Sequence, residues 1–90
     1  MSTTPHLTVY GAEWCKDCRR TSALLAHFGV DYVLVDLEAE PDRVDEARQL
    51  AGIQRIPVVH FDDGAVLVEP SDADLNAALQ ARSLIDGSPE

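Results

Sequence analysis

Two cysteines three residues apart, Cys15 and Cys18, stand at a junction between a strand pattern and a helix pattern, and few folds are built around such a junction. Upstream, Leu7-Thr8-Val9-Tyr10 reads as a short apolar strand that ends at Gly11. Downstream, Cys18, Thr21, Leu25 and Phe28 recur at spacings of three and four, with Leu24 beside them and Gly29 as a C-terminal stop. Asp31 to Leu37 is rich in β-branched and aromatic residues and reads as a second strand, expected to be buried through Val33 and Val35. A strand-helix-strand unit is thereby complete.

The rest of the chain extends that unit. Pro41 suits the first turn of a helix carrying Val44, Ala47, Arg48 and Leu50, with Asp42, Asp45 and Glu46 at its start and Gly52 as its stop. Ile56 to Phe61 and Ala65 to Val68 flank Asp62-Asp63-Gly64, the composition of a hairpin turn, so these two strands should pair antiparallel. Ser71 and Asp74 form a capping pair for a last helix with Leu75, Ala78 and Leu79 on one face. The order is βαβ-α-ββα, an α/β fold with a four-stranded mixed sheet flanked by three helices, the minimal thioredoxin arrangement. At 90 residues, 46% hydrophobic, the chain suits one compact domain, assigned to residues 7–85, with flexible tails at 1–6 and 86–90.

Charge and cysteine usage narrow the function. A formal charge of -9 would repel a nucleic-acid backbone or an anionic membrane surface. The first ten residues lack a basic, apolar secretion pattern and no stretch approaches a membrane span, so a cytoplasmic location and no membrane partner are expected. Two cysteines are too few for a disulfide framework, which leaves redox chemistry or a metal. A structural zinc needs about four ligands. The three histidines, His6, His27 and His60, fall on the tail, a helix end and a strand, so no metal site is expected. A Cys/His hydrolase would leave the second cysteine without a role.

Redox chemistry accounts for both cysteines. Cys15 should lie at the helix N-terminus, where the free amides of residues 16–18 and the helix dipole favour a negative sulfur. No Ser, Thr, Asp or Asn precedes this helix, so the thiolate itself can serve as the cap. Lys16 and Arg19 reinforce that field, whereas Glu13 and Asp17 oppose it. Cys18, one turn on, is placed to resolve a mixed disulfide at Cys15, and Trp14 offers a flat apolar wall beside the sulfur. Ile56-Pro57 has two readings. Pro57 is an edge-strand proline, or a cis bond there turns the Ile56 backbone outward for an extended substrate. The acidic run from Asp36 to Glu46 is read as a solvated helix surface, with a docking face as the alternative.

With these elements in place, Val9 to Cys18 (VYGAEWCKDC), Ile56-Pro57-Val58-Val59, Asp63-Gly64 and Glu69-Pro70-Ser71 resemble the glutaredoxin family, and most narrowly the actinobacterial mycoredoxins, from Leu7 to about Leu84. The resemblance implies an enzyme that binds no cofactor and uses mycothiol, or else glutathione, as co-substrate. Cys15 would attack a mixed disulfide between a client protein and the small thiol. Ile56 and a cis Pro57 would hold the thiol, Ser71 and Asp72 would meet it at the start of the last helix, and Arg55 stands where the family often has a basic residue. It further implies a monomer whose partners are S-thiolated clients and a thioredoxin reductase or mycothiol disulfide reductase. Two departures favour mycothiol over glutathione or qualify its grip. Lys16-Asp17 replaces the family's Pro-Tyr or Gly-Tyr, and Glu69-Pro70 replaces Gly-Gly, placing a carboxylate near the small-thiol site. Two other classes follow from the same residues: a dithiol reductant of the kind that supplies ribonucleotide reductase, and a non-catalytic metal or iron-sulfur module.

Overall fold

A computed structural model of the chain describes residues 5–85. The C-terminal tail at 86–90 and the first four residues of the N-terminal one lie outside them. The elements are β1 (Leu7–Gly11), α1 (Lys16–His27), β2 (Val33–Asp36), a 3-10 turn (Pro41–Arg43) leading into α2 (Val44–Ala51), β3 (Val58–Phe61), β4 (Val66–Val68) and α3 (Asp72–Ala81). The four strands form one sheet in the order β2-β1-β3-β4. β1 runs parallel to β2, with Tyr10 opposite Val35, and antiparallel to β3, with Val9 opposite Val59. β3 and β4 form the expected hairpin, Val58 facing Val68 and His60 facing Val66. This is the mixed four-stranded thioredoxin arrangement read from the sequence.

Strand alternation divides the core between the two faces of the sheet. Leu7 and Val9 of β1 and Val59 and Phe61 of β3 share a cluster with Leu25 of α1 and with Leu75 and Leu79 of α3. Tyr10, Val35 and Val58 point the other way, onto Ala47 of α2. On this second face Tyr10 is only 3% exposed, yet its hydroxyl donates to Glu46, which also accepts from Arg43 at 2.8 Å. Burial, with the Glu46 carboxylate adding to it, pushes the Tyr10 hydroxyl up to about 12.

Val33 departs from expectation: it is 44% exposed, whereas Val35 is buried. β2 is an edge strand, and Val33 sits in the row of Thr8 and His60, which are themselves only half-buried. The eight-residue α2 covers the Tyr10–Val35–Val58 row and leaves this one open. The helix ends follow the sequence closely. Gly29 (φ +69°) and Gly52 (φ +79°) take the left-handed backbone that terminates α1 and α2, where a β-carbon is disfavoured. Ser71 caps α3, its Oγ accepting the Asp74 amide at 3.0 Å.

Candidate active site

At the C-terminal end of β1 the chain turns through Ala12 to Trp14 and enters α1. The turn is closed by the Cys15 amide donating to the Ala12 carbonyl at 3.1 Å. Cys15 is the N-cap of α1, in extended backbone (φ -81°, ψ 115°), and its Sγ accepts the Cys18 amide at 3.2 Å. A cap position ordinarily filled by a hydroxyl or carboxylate oxygen is held by sulfur, and a thiolate is the better acceptor for it. Both cysteines are free thiols. They pack with Ala12 against the partly buried Ile56, at exposures of 9% for Cys15 and 4% for Cys18.

The two sulfurs are unequal. Burial, and then the hydrogen bond with Cys15, pushes the Cys18 thiol up to about 12, so it keeps its proton at neutral pH. Its position depends on a residue that the sequence reading used only as a strand end. A β-carbon at Gly11 would lie 2.8 Å from Cys18 Sγ and 3.0 Å from Cys18 Cβ. Gly11 is thus the room into which Cys18 fits. A glycine closing a strand just before a C-x-x-C helix was the available signal, since strand glycines mark close approaches.

Opposite the cysteines lies the Ile56-Pro57 step, which is cis. Pro57 is fully buried, its carbonyl accepts the Glu69 amide at 2.8 Å, and β3 begins only at Val58. Among the described residues neither the amide nor the carbonyl of Ile56 has a hydrogen-bond partner, so both are available to an extended ligand. A cavity of about 360 Å³ lies alongside, lined by Ala12, Trp14, Leu37, Glu38, Val44, Gln54, Arg55 and Ile56. Trp14 stands at its edge with 65% of its surface exposed. A second cavity, of about 250 Å³, reaches Cys18 from the β2 side and includes Glu13, Arg19, Tyr32, Leu34 and Asp36.

The segment before α3 is held by arginines. Arg55 donates to Glu69 at 3.0 Å, while Arg20 of α1 reaches the Pro70 carbonyl at 3.1 Å and Asp72 at 3.4 Å. Arg19 donates to the Glu13 carbonyl at 2.7 Å. Of the lysine and arginine side chains, Lys16 alone has no ion-pair or hydrogen-bond partner among the described residues, and it is exposed directly after Cys15. The structure therefore brings Trp14, Cys15, Cys18, Arg55, Ile56 and Pro57 together. Ser71 and Asp72 lie at the adjoining helix start, but the Ser71 hydroxyl is engaged in capping and Asp72 in the pair with Arg20. The sequence identified Glu69 as a charge near the site, whereas its pairing with Arg55, like the reach of Arg20 to Pro70, appears only in three dimensions. The acidic run is partly consumed inside the chain, by Arg43 pairing with Glu40 and Glu46 and Arg48 with Asp45.

Comparison with known proteins agrees with this geometry. A family model described as glutaredoxin matches residues 7–66. A Mycobacterium tuberculosis H37Rv protein that carries a provisional glutaredoxin name is 32% identical over 77 residues, covering 84% of this chain and 92% of its own. Mycoredoxin 1 of Corynebacterium glutamicum is 29% identical over 77 residues, covering 84% and 95%. In fold, the chain is similar to the crystal structure of an Archaeoglobus fulgidus glutaredoxin (TM-score 0.75, 21% identity, 86% of this chain and 88% of that one). It is also similar to a wheat glutaredoxin (TM-score 0.66, 18% identity, 91% and 79%).

Proposed function

Because the chain belongs to the glutaredoxin family and is a thiol-disulfide oxidoreductase, we propose that it reduces mixed disulfides between proteins and a low-molecular-weight thiol, with mycothiol as that thiol. The observation that carries this reading is Cys15 at the N-cap of α1, its sulfur bonded by the Cys18 amide and packed near a cis Ile56-Pro57 step at which the Ile56 amide and carbonyl are unpaired among the described residues. The Cys15 thiolate attacks the small thiol's sulfur. A new disulfide joins Cys15 to the small thiol, the original S–S bond breaks, and the client leaves as a thiolate that takes up a proton. A second small thiol then attacks the intermediate, releasing Cys15 and a symmetrical small disulfide. Cys18 is the resolving thiol, and can close an intramolecular disulfide that expels the small thiol instead.

The protonated state of Cys18 slows that closure, because the thiolate is the attacking species. This favours a cycle completed by a second small thiol. Trp14, Lys16, Arg55, Ile56, Pro57, Ser71 and Asp72 form the surrounding substrate site in this reading. Glu69 beside Arg55 disfavours the carboxylates of glutathione and supports mycothiol, which has none. The enzyme works as a cytoplasmic monomer on S-thiolated clients, and a mycothiol disulfide reductase returns the small disulfide to thiols.

The alternative is a dithiol reductant fed by thioredoxin reductase. The exposed Lys16, with Asp17 within 3.8 Å of Arg20, favours it, because these residues provide no aromatic wall for a small thiol. Turnover of a mycothiol-protein mixed disulfide by wild type and by Cys18→Ser separates the two. Activity retained in Cys18→Ser supports the leading reading. Reduction by thioredoxin reductase alone, with an inactive Cys18→Ser protein, replaces it with the dithiol one.

A further inference from the structure

We infer that Glu69 sets the specificity of this site by occupying Arg55, so that the cavity lined by Trp14 and Ile56 presents no unpaired cation of its own to a carboxylate and admits a small thiol without one. The inference rests on reading the site as one for a low-molecular-weight thiol. Among the described residues, Arg55 is the one basic side chain lining the 360 Å³ cavity, and Glu38 is the remaining charged group there. With Arg55 bound to Glu69 at 3.0 Å, the charged groups at the cavity sum to one negative charge, Glu38 and Glu69 against Arg55. Of the other cations nearby, Arg48, which lines the small adjoining cavity, is held by Asp45 at 2.7 Å, and the unpaired Lys16 lines neither cavity. A carboxylate entering the cavity would meet a pair already formed and an uncompensated Glu38.

The backbone supports a dedicated role for Glu69. It lies at φ +49°, in the left-handed region that a side chain enters at a cost of roughly 1 kcal/mol and glycine enters freely. Its amide is fixed to the Pro57 carbonyl at 2.8 Å, so the residue is anchored to the cis step that flanks Cys15. A glutamate thus stands where a residue without a side chain would be easier to accommodate, and the contact its side chain makes is with Arg55. Arg55 is 61% exposed and Glu69 36%, so the pair is weak enough for its partner to be exchanged once Glu69 loses its charge.

The experiment measures thiolation of Cys15 by mass spectrometry, with Cys18 replaced by serine so that the product accumulates. Cys15 attacks either glutathione disulfide, which brings carboxylates, or hydroxyethyl disulfide, which brings none. In each case one half joins Cys15 and the other leaves as a thiolate. The readout is the ratio of the two rate constants. Glu69→Gln should raise the glutathione ratio roughly threefold to fivefold, the upper part of the range expected for freeing one exposed arginine. In the Arg55→Gln background the same substitution should change the ratio by less than about twofold. An unchanged ratio in Glu69→Gln overturns the inference, and so does an equal rise with Arg55 absent, which would mean that Glu69 acts by its own charge alone. Failure of the wild-type protein to turn over any protein mixed disulfide would instead sink the proposed function, because the thiolation ratio is read without turnover.

Discussion

The two sides of the site are held by different forces. The cysteine side, comprising Gly11, Ala12, Cys15 and Cys18, is built by burial and by the helix start, with Cys18 only 4% exposed and packed against the end of β1. The facing side, from Arg55 to Pro57 and from Glu69 to Asp72, buries Pro57 and Pro70, but its charged residues are fastened to their surroundings by exposed ion pairs and by backbone hydrogen bonds. Buried contacts are worth kilocalories each and tolerate little change, whereas exposed ion pairs contribute about 0–1 kcal/mol and can be rearranged. Changes on the first side should therefore appear as lost stability, and changes to the exposed Arg55–Glu69 pair on the second chiefly as altered selectivity.

The largest expected contrast is in alkali. The Cys18 thiol is raised from 9.0 to about 12 in the folded protein, so above pH 9 the unfolded chain releases this proton while the folded one keeps it. The folded state then binds more protons than the unfolded, and stability falls as pH rises from about 9 towards 12. Tyr10, raised from 10.0 to about 12, acts in the same direction from about pH 10. Thermal melts between pH 8 and 11 should show a steeper decline for wild type than for Cys18→Ala. Parallel declines would mean that Cys18 is not the buried, proton-retaining group described above.

Gly11 tests the same side by volume. Gly11→Ala places a methyl group 2.8 Å from Cys18 Sγ, and because the neighbour is a packed helix residue, overpacking of about 1–3 kcal/mol is expected. Chemical denaturation measures it. Combining the change with Cys18→Ala, which removes the sulfur, should recover part of the loss. Equal losses with and without the sulfur would place the strain elsewhere.

These residues also mark where the sequence was legible. The order of elements, the antiparallel hairpin, the Ser71 cap and Cys15 at the head of α1 follow from patterns local in the chain: apolar period, turn chemistry and a missing conventional cap. Val33 could not be read in this way. Its exposure depends on how far the short α2 extends over the sheet, a property of packing rather than of the strand's own composition. The pairing of Arg55 with Glu69 across 14 positions and the reach of Arg20 to Pro70 across 50 have no periodic signature, since each depends on two distant segments arriving together. Gly11 lies between these cases. Its presence was visible and its purpose was not, because the atom it accommodates belongs to another element.

Smaller effects belong to the start of α3. Ser71→Ala removes the oxygen that accepts the Asp74 amide at 3.0 Å and should cost about 1 kcal/mol, whereas Ser71→Asp, which restores an acceptor, should recover most of it. If alanine and aspartate are equally destabilising, the hydroxyl serves something other than the cap.

The smallest effect is expected at Arg20, although this α1 side chain reaches three partners: the Pro70 carbonyl at 3.1 Å, Asp72 at 3.4 Å and Asp17 at 3.8 Å. Its side chain is 43% exposed and those of Asp72 and Asp17 are 58% and 50%, so water replaces most of what substitution removes. Arg20→Gln should lower stability by less than about 1 kcal/mol, which for a domain of this size is a melting-temperature shift under about 8 °C. A larger fall would show that the Arg20 tie between α1 and the 70–72 segment supports the packing of α3 itself. The two sides of the site would then be mechanically joined, and a substitution near Glu69 could no longer be read as a change of selectivity alone.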